Sequence, residues 1–131
     1  MAKHPDQVVV EELFAAFSAG DQERLRKVLD PDVTWRQPGF GVLGGRFQGP
    51  DEVIGMVAKL AAETEGTATL RLELTATDGE GTVGAQFVAS ATRGGESVSR
   101  PSIAVYRVAE GRIVDANTLN TDLARARQFF E

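Results

Sequence analysis

Few side chains in this sequence could carry acid–base or metal chemistry, and their placement narrows the choice further. There are no cysteines, which excludes thiolate nucleophiles, thiolate metal sites and disulfides. His4 is the single histidine and is expected in a fraying terminus. A histidine-based triad or a histidine-ligated metal centre is therefore not expected. Asp30 and Asp32 flank Pro31, and Asp78 and Glu80 belong to the hairpin signal Asp78-Gly79-Glu80-Gly81. Both pairs read as solvated turn residues before they read as metal ligands. The stretch Gly39-Phe40-Gly41-Val42-Leu43-Gly44 has the spacing G-x-G-x-x-G. In a dinucleotide fold its third glycine opens a helix within a βαβ unit. Here the next helix signal waits until Pro50, so a mobile loop is expected and a nucleotide is not. No cofactor and no metal are implied.

The elements that must position a site follow from periodicity. Val10, Leu13, Phe14 and Phe17 form a helical stripe that Gly20 ends. Asp21 caps a second helix with Leu25, Val28 and Leu29 on its apolar face. Asp30-Pro31-Asp32 stops it, and Val33 and Trp35 start a short strand. Pro38 to Gly49 is Gly-rich and reads as irregular. A third helix begins at Pro50, where proline is tolerated and Asp51 and Glu52 favour the positive helix end. Its apolar face is Val53, Ile54, Val57, Leu60 and Ala61. Beyond Gly66 the period becomes two: Leu70, Leu72 and Leu74 alternate with Arg71, Glu73 and Thr75. Three further strands, Val83–Thr92, Ser97–Val108 and Arg112–Thr121, are separated by Arg93-Gly94-Gly95-Glu96 and Glu110-Gly111. The order is helix, helix, strand, helix and a four-strand antiparallel meander, in one domain over residues 1–131. Helices on one face of a curved sheet would enclose a pocket.

Composition agrees with such a domain. Apolar residues make up 42% of the 131 and charged residues 25%, enough for a core and too apolar for disorder. No run of about 18 apolar residues could span a membrane. The start lacks the apolar stretch of a signal peptide, so a cytoplasmic location is expected. The formal charge of −5 and scattered basic residues argue against nucleic acid as a partner.

The element order carries three local words: Ala19-Gly20-Asp21, Pro31-Asp32-Val33-Thr34-Trp35, and Tyr106 to Val114 (Tyr-Arg-Val-Ala-Glu-Gly-Arg-Ile-Val). With them, the chain resembles the nuclear transport factor 2-like superfamily, closest to its SnoaL-like polyketide cyclases and ketosteroid isomerases. The resemblance implies an α+β fold, a cystatin-like roll in which a cone-shaped, curved antiparallel sheet packs against three helices. It also places the isomerase machinery. The general-base aspartate would fall at Gln37, the protonated aspartate at Ala104 and the phenolic donor near Leu13. All three groups are absent, and a positioned base alone is worth about 10²–10⁴ in rate. Steroid isomerisation is therefore not expected. SnoaL-like cyclases often carry an acidic residue on the last strand, in the stretch after Gly-Arg-Ile-Val; here that stretch is Asp115 to Asn120, and alternation turns Asp115 outward.

The same alignment implies the pocket lining. It is Trp35 and Gln37 on the first strand, Phe87 and Ala89 on the third, Arg100, Ser102 and Ala104 on the fourth, and Thr118 and Asn120 on the last. Tyr106 shares that parity and is expected deeper, with Phe40, Leu43 and Phe47 over the mouth. Gln37, Thr118 and Asn120 form a neutral hydrogen-bonding set that can orient a ligand or a water and cannot act as a base. Arg100 needs an acceptor if it is buried, and otherwise reaches solvent beside Pro101. Ile103, Val105, Val88 and Leu119 fall on the outer face, where an apolar patch implies a homodimer. Two functions stay open. One is an enzyme, cyclase or isomerase-like, acting on a small carbonyl-bearing, polyketide-like compound. The other is a ligand-binding or accessory domain without chemistry.

Overall fold

The computed structural model describes residues 3–37, 44–120, 124, 128 and 129. Helix α1 spans Pro5–Ala19. Its start is fixed by a reciprocal cap: His4 Nδ1 accepts from the Asp6 amide at 3.1 Å, and Gln7 Oε1 accepts from the His4 amide at 3.1 Å. His4 is thus a helix cap, which corrects its expected place in a fraying terminus. Gly20, at φ 64°, ends the helix in the left-handed region that glycine adopts without strain. Asp21 caps α2, Gln22–Val28, through the Arg24 amide. The helix then gives way to β1, Leu29–Gln37.

A second strand, β2 (Gly45–Gln48), pairs antiparallel with β1. It corrects the irregular segment expected there. Phe47 stands opposite Trp35 in this ladder and packs against the core, so it does not cover a mouth. Phe40 and Leu43, with most of the Gly-rich motif, lie outside the described residues. Helix α3 follows over Gly49–Glu63. Its buried face is Val53, Ile54 and Met56, while Ala61 is exposed.

The meander is β3 (Thr69–Thr77), β4 (Thr82–Arg93), β5 (Glu96–Ala109) and β6 (Arg112–Asn120). The six strands run in the order β2-β1-β6-β5-β4-β3. All neighbours are antiparallel except β1 and β6, which are parallel. The fold is α+β: among the described residues, helices α1 to α3 pack against one mostly antiparallel sheet.

One departure reverses part of a strand. Leu72 pairs with Phe87 and Leu74 with Gln86, so Glu73 is an extra residue in β3. Such a bulge shifts the parity of everything beyond it. Leu74 turns outward and is 60% exposed, against the regular alternation expected of the three leucines. Thr75 turns inward instead, and its hydroxyl accepts from Gln7 Nε2 at 3.0 Å. That bond ties α1 to β3. The core gathers Val10 and Phe14 of α1, Leu25 of α2, Val53 of α3, and Val83, Ala104 and Ile113 of the sheet.

Candidate functional site

The inner face of β5 presents Arg100, Ser102, Ala104 and Tyr106 in succession, because alternate residues share a face. Their cross-strand partners set the floor. Ser102 stands between Phe87 and Asn120, Ala104 between Ala85 and Thr118, and Tyr106 between Val83 and Ala116. The middle of this floor is small side chains. The helices close over it from one side and leave a cavity of about 140 Å³.

Of the residues expected to line it, Trp35, Gln37, Phe87, Ala89, Arg100, Ser102 and Thr118 do so. Ala104 has the same orientation but is fully covered, at 0% exposure. Asn120 pairs with Ser102 through the backbone, and its side chain lies outside the described residues. Tyr106 lines the cavity too. So do Phe14 and Phe17 of α1, expected only as a packing stripe, together with Leu13 and with Met56 of α3. Phe129 also reaches it, with its carbonyl accepting from Arg93 Nη1 at 2.9 Å. No sequence signal marked Phe129; the pair Phe129-Phe130 reads as ordinary packing.

The aromatic side of the cavity is ordered by ring contacts. Phe14 meets Phe87 edge-to-face at 5.1 Å and Tyr106 at 6.3 Å, and Trp35 lies tilted against Tyr106 at 6.0 Å. Each such pair adds roughly 0.5–1.5 kcal/mol beyond its burial. The Tyr106 ring is held from two sides, and burial pushes its phenol well above the ordinary range. It stays protonated and can donate.

The polar side is donor-rich. Trp35 Nε1 donates to Gln37 Oε1 at 3.3 Å. That occupies the amide oxygen and leaves Gln37 Nε2 beside Met56 Sδ at 4.0 Å, a weak acceptor. Ser102 is 3% exposed, and Arg100 is half-buried with its Nε and Nη1 covered. No carboxylate is among the described residues that line the cavity. Asp115 faces away: it bonds Arg36 Nη2 at 2.7 Å on the opposite surface, as alternation requires. Among the described residues no group of three or more potential metal ligands forms a site. The arrangement can bind an apolar ring, hydrogen-bond its oxygens and present one cation. It offers no evident base.

A curved sheet closed by helices around an apolar hollow is the nuclear transport factor 2-like architecture. A family model for the SnoaL-like domain matches residues 10–116, and the chain belongs to that family. An uncharacterized protein of Mycobacterium tuberculosis (strain H37Rv) is 32% identical over 130 residues, covering 99% of both chains. A nuclear transport factor 2-like protein of unknown function from Burkholderia pseudomallei superposes with a TM-score of 0.87 at 25% identity, over 99% of this chain and 98% of that one. IdmH, a candidate polyketide cyclase from Streptomyces antibioticus, superposes at 0.78 with 21% identity, over 95% and 98% of the two chains. At that identity IdmH carries the likeness of fold alone.

Proposed function

We propose that this chain binds a small, carbonyl-bearing compound of polyketide type in the cavity and turns it over as a cyclase or isomerase without an aspartate base. The observation that carries this is one lining that combines aromatic walls with Gln37, Ser102, Thr118 and Arg100. Those groups can hold a ligand's oxygens where charge develops, and a site that excludes water strengthens each such contact. Asn120 is assigned to the same set by its register beside Ser102. Family membership supports the substrate class.

The test is the intramolecular aldol cyclisation of heptane-2,4,6-trione to orcinol, with loss of one water. Formation of orcinol faster than in buffer, abolished by Gln37→Leu with Thr118→Val, is expected. Binding of the triketone with no acceleration would favour the second reading, a ligand-binding or accessory domain without chemistry. The lack of a carboxylate among the described lining residues favours that alternative.

We also assign the chain a homodimer through the outer sheet face and a cytoplasmic location. In the outer face Leu74, Gln86, Ile103 and Leu119 form one cross-strand row. Its three apolar members are 60%, 44% and 46% exposed. Gln86 separates Leu74 from the adjacent Ile103 and Leu119, and exposed apolar side chains on a sheet face support an interface. No helix among the described residues is long and apolar enough to cross a membrane.

A further inference from the structure

Among the described residues, the phenol of Tyr106 is one of two buried hydroxyls that line the cavity, the other being that of Ser102. Tyr106 is 2% exposed and lines the hollow. No side chain or backbone group among the described residues hydrogen-bonds its hydroxyl. Phe14, Trp35 and Phe87 surround it or its neighbours and offer that oxygen nothing. The Tyr106 hydroxyl is not among the fully covered polar atoms that lack a partner, so it opens onto the hollow, where the O–H still calls for a partner. The ring has no freedom to seek one elsewhere, because it is packed edge-to-face against Phe14 and tilted against Trp35.

We infer that Tyr106 is the donor that recognises the ligand, its hydroxyl giving a hydrogen bond to the carbonyl oxygen of a neutral ketone carried on a ring. This rests on the cavity being a ligand site. Three observations fix the class. The phenol remains protonated, so it has an O–H to give to an acceptor. The walls beside it are aromatic, which suits a flat ring stacked or edged against them. The enclosed volume, about 140 Å³, is close to the roughly 150 Å³ of an apolar cavity that holds one benzene ring. Larger ligands would leave the rest of their length toward Arg100. That residue stands six positions away on the same face of β5, roughly 20 Å along an extended strand.

Ser102 is the rival donor. It is also buried, also lines the cavity and also has no hydrogen-bond partner among the described residues. Its register partners are Phe87 on one side and Asn120 on the other, whereas Tyr106 has ring contacts with both Phe14 and Trp35.

Acetophenone and α-methylstyrene separate these possibilities, since they differ only in an oxygen replaced by a methylene. Calorimetric titration of the wild-type protein should show tighter binding of the ketone. Tyr106→Phe should weaken acetophenone about 2- to 12-fold, the range of one neutral hydrogen bond, and leave α-methylstyrene unchanged. The infrared carbonyl stretch of bound, ¹³C-labelled acetophenone should lie at lower frequency in the wild type and move back up in Tyr106→Phe. Ser102→Ala, whatever it does to overall affinity, should keep the preference for acetophenone over α-methylstyrene and leave the carbonyl stretch in place. Equal losses for both ligands in Tyr106→Phe, an unmoved stretch, or discrimination lost only in Ser102→Ala would each overturn the assignment while the cavity remained a binding site. Failure of the wild type to bind either compound would overturn the cavity as a ring site, and Tyr106 with it.

Discussion

Trp35 and Tyr106 touch ring to ring at 6.0 Å although their strands are not neighbours. β6 runs between them, and Ala116 is the register partner of both. The methyl group of Ala116 is what lets the two rings meet across a whole strand. The contact joins the polar end of β1, where Trp35 donates to Gln37, to the buried phenol of β5.

Tyr106 is the single tyrosine of the chain, so its titration can be read directly. Burial raises its folded-state value. An unfolded phenol loses its proton near the ordinary value of about 10, while the folded one keeps it. Above that point the native state therefore binds more protons than the unfolded state, and stability falls as pH rises. Absorbance at 295 nm should show phenolate appearing only together with the loss of near-ultraviolet circular dichroism. Ionisation with an ordinary midpoint in the folded protein would contradict the burial.

Arg100 tests the charge of the cavity. Arg100→Met keeps most of the stem and removes the cation. A charge-assisted contact is worth roughly 1.5–3 kcal/mol, so affinity for 4-phenylbutyrate should fall about 10- to 150-fold. Affinity for 4-phenylbutanamide should change much less. Equal losses for acid and amide would mean that Arg100 supports the wall and does not read charge.

The outer face gives a prediction about assembly. Val105 is half-buried and pairs with Gly84 and Asn117 beside the exposed row of Leu74, Ile103 and Leu119. Val105→Arg would place an unpaired charge within the proposed interface. Sedimentation equilibrium should find a wild-type dimer at micromolar concentration and a dissociation constant raised at least about 10-fold in the variant. A monomeric wild type at that concentration would remove the interface.

Two glycines should respond in opposite directions to alanine. Gly81 has φ +98°, and an added Cβ would lie 3.1 Å from the Val108 carbonyl oxygen. The Val108 amide donates to the Gly81 carbonyl at 2.8 Å, so the chain cannot easily move away. Gly81→Ala should cost roughly 1–3 kcal/mol. Gly55, inside α3, has an ordinary φ and open space around its missing Cβ. Gly55→Ala should add about 0.4–1 kcal/mol. Chemical denaturation of both variants decides the matter; a stabilised Gly81→Ala would show that the turn relaxes.

The meander was legible in the sequence because its strands alternate and its turns carry Asp-Gly and Gly-Gly. The inner-face residues of β5 followed from that alternation. β2 was not legible. Gly45-Arg46-Phe47-Gln48 has little strand pattern of its own and is held by pairing with β1. Leu74 was misplaced for a related reason: a single extra residue, Glu73, is invisible to a period-two count. His4 was read as an end of chain, whereas its ring nitrogen serves as the acceptor that serine or aspartate usually supplies. The depth of Tyr106 depended on Phe14 and Trp35 closing from two sides. That closure joins residues far apart in the chain, and local pattern carries no record of it.

The parallel pairing of β1 with β6 bears on how the protein is born. Arg36 and Asp115, which bridge these strands, are 79 residues apart. A ribosome adding about 5–20 residues per second needs on the order of 4–16 s to bring the second after the first. During that interval β1 lacks its β6 partner, and Trp35 has no Ala116 or Tyr106 to lie against. The hairpins of β3 to β5 can close as they emerge, since their pairings are local. The cavity wall is thus a late product of vectorial synthesis, and a nascent chain stalled before β6 would carry a finished half-sheet with an unfinished binding face.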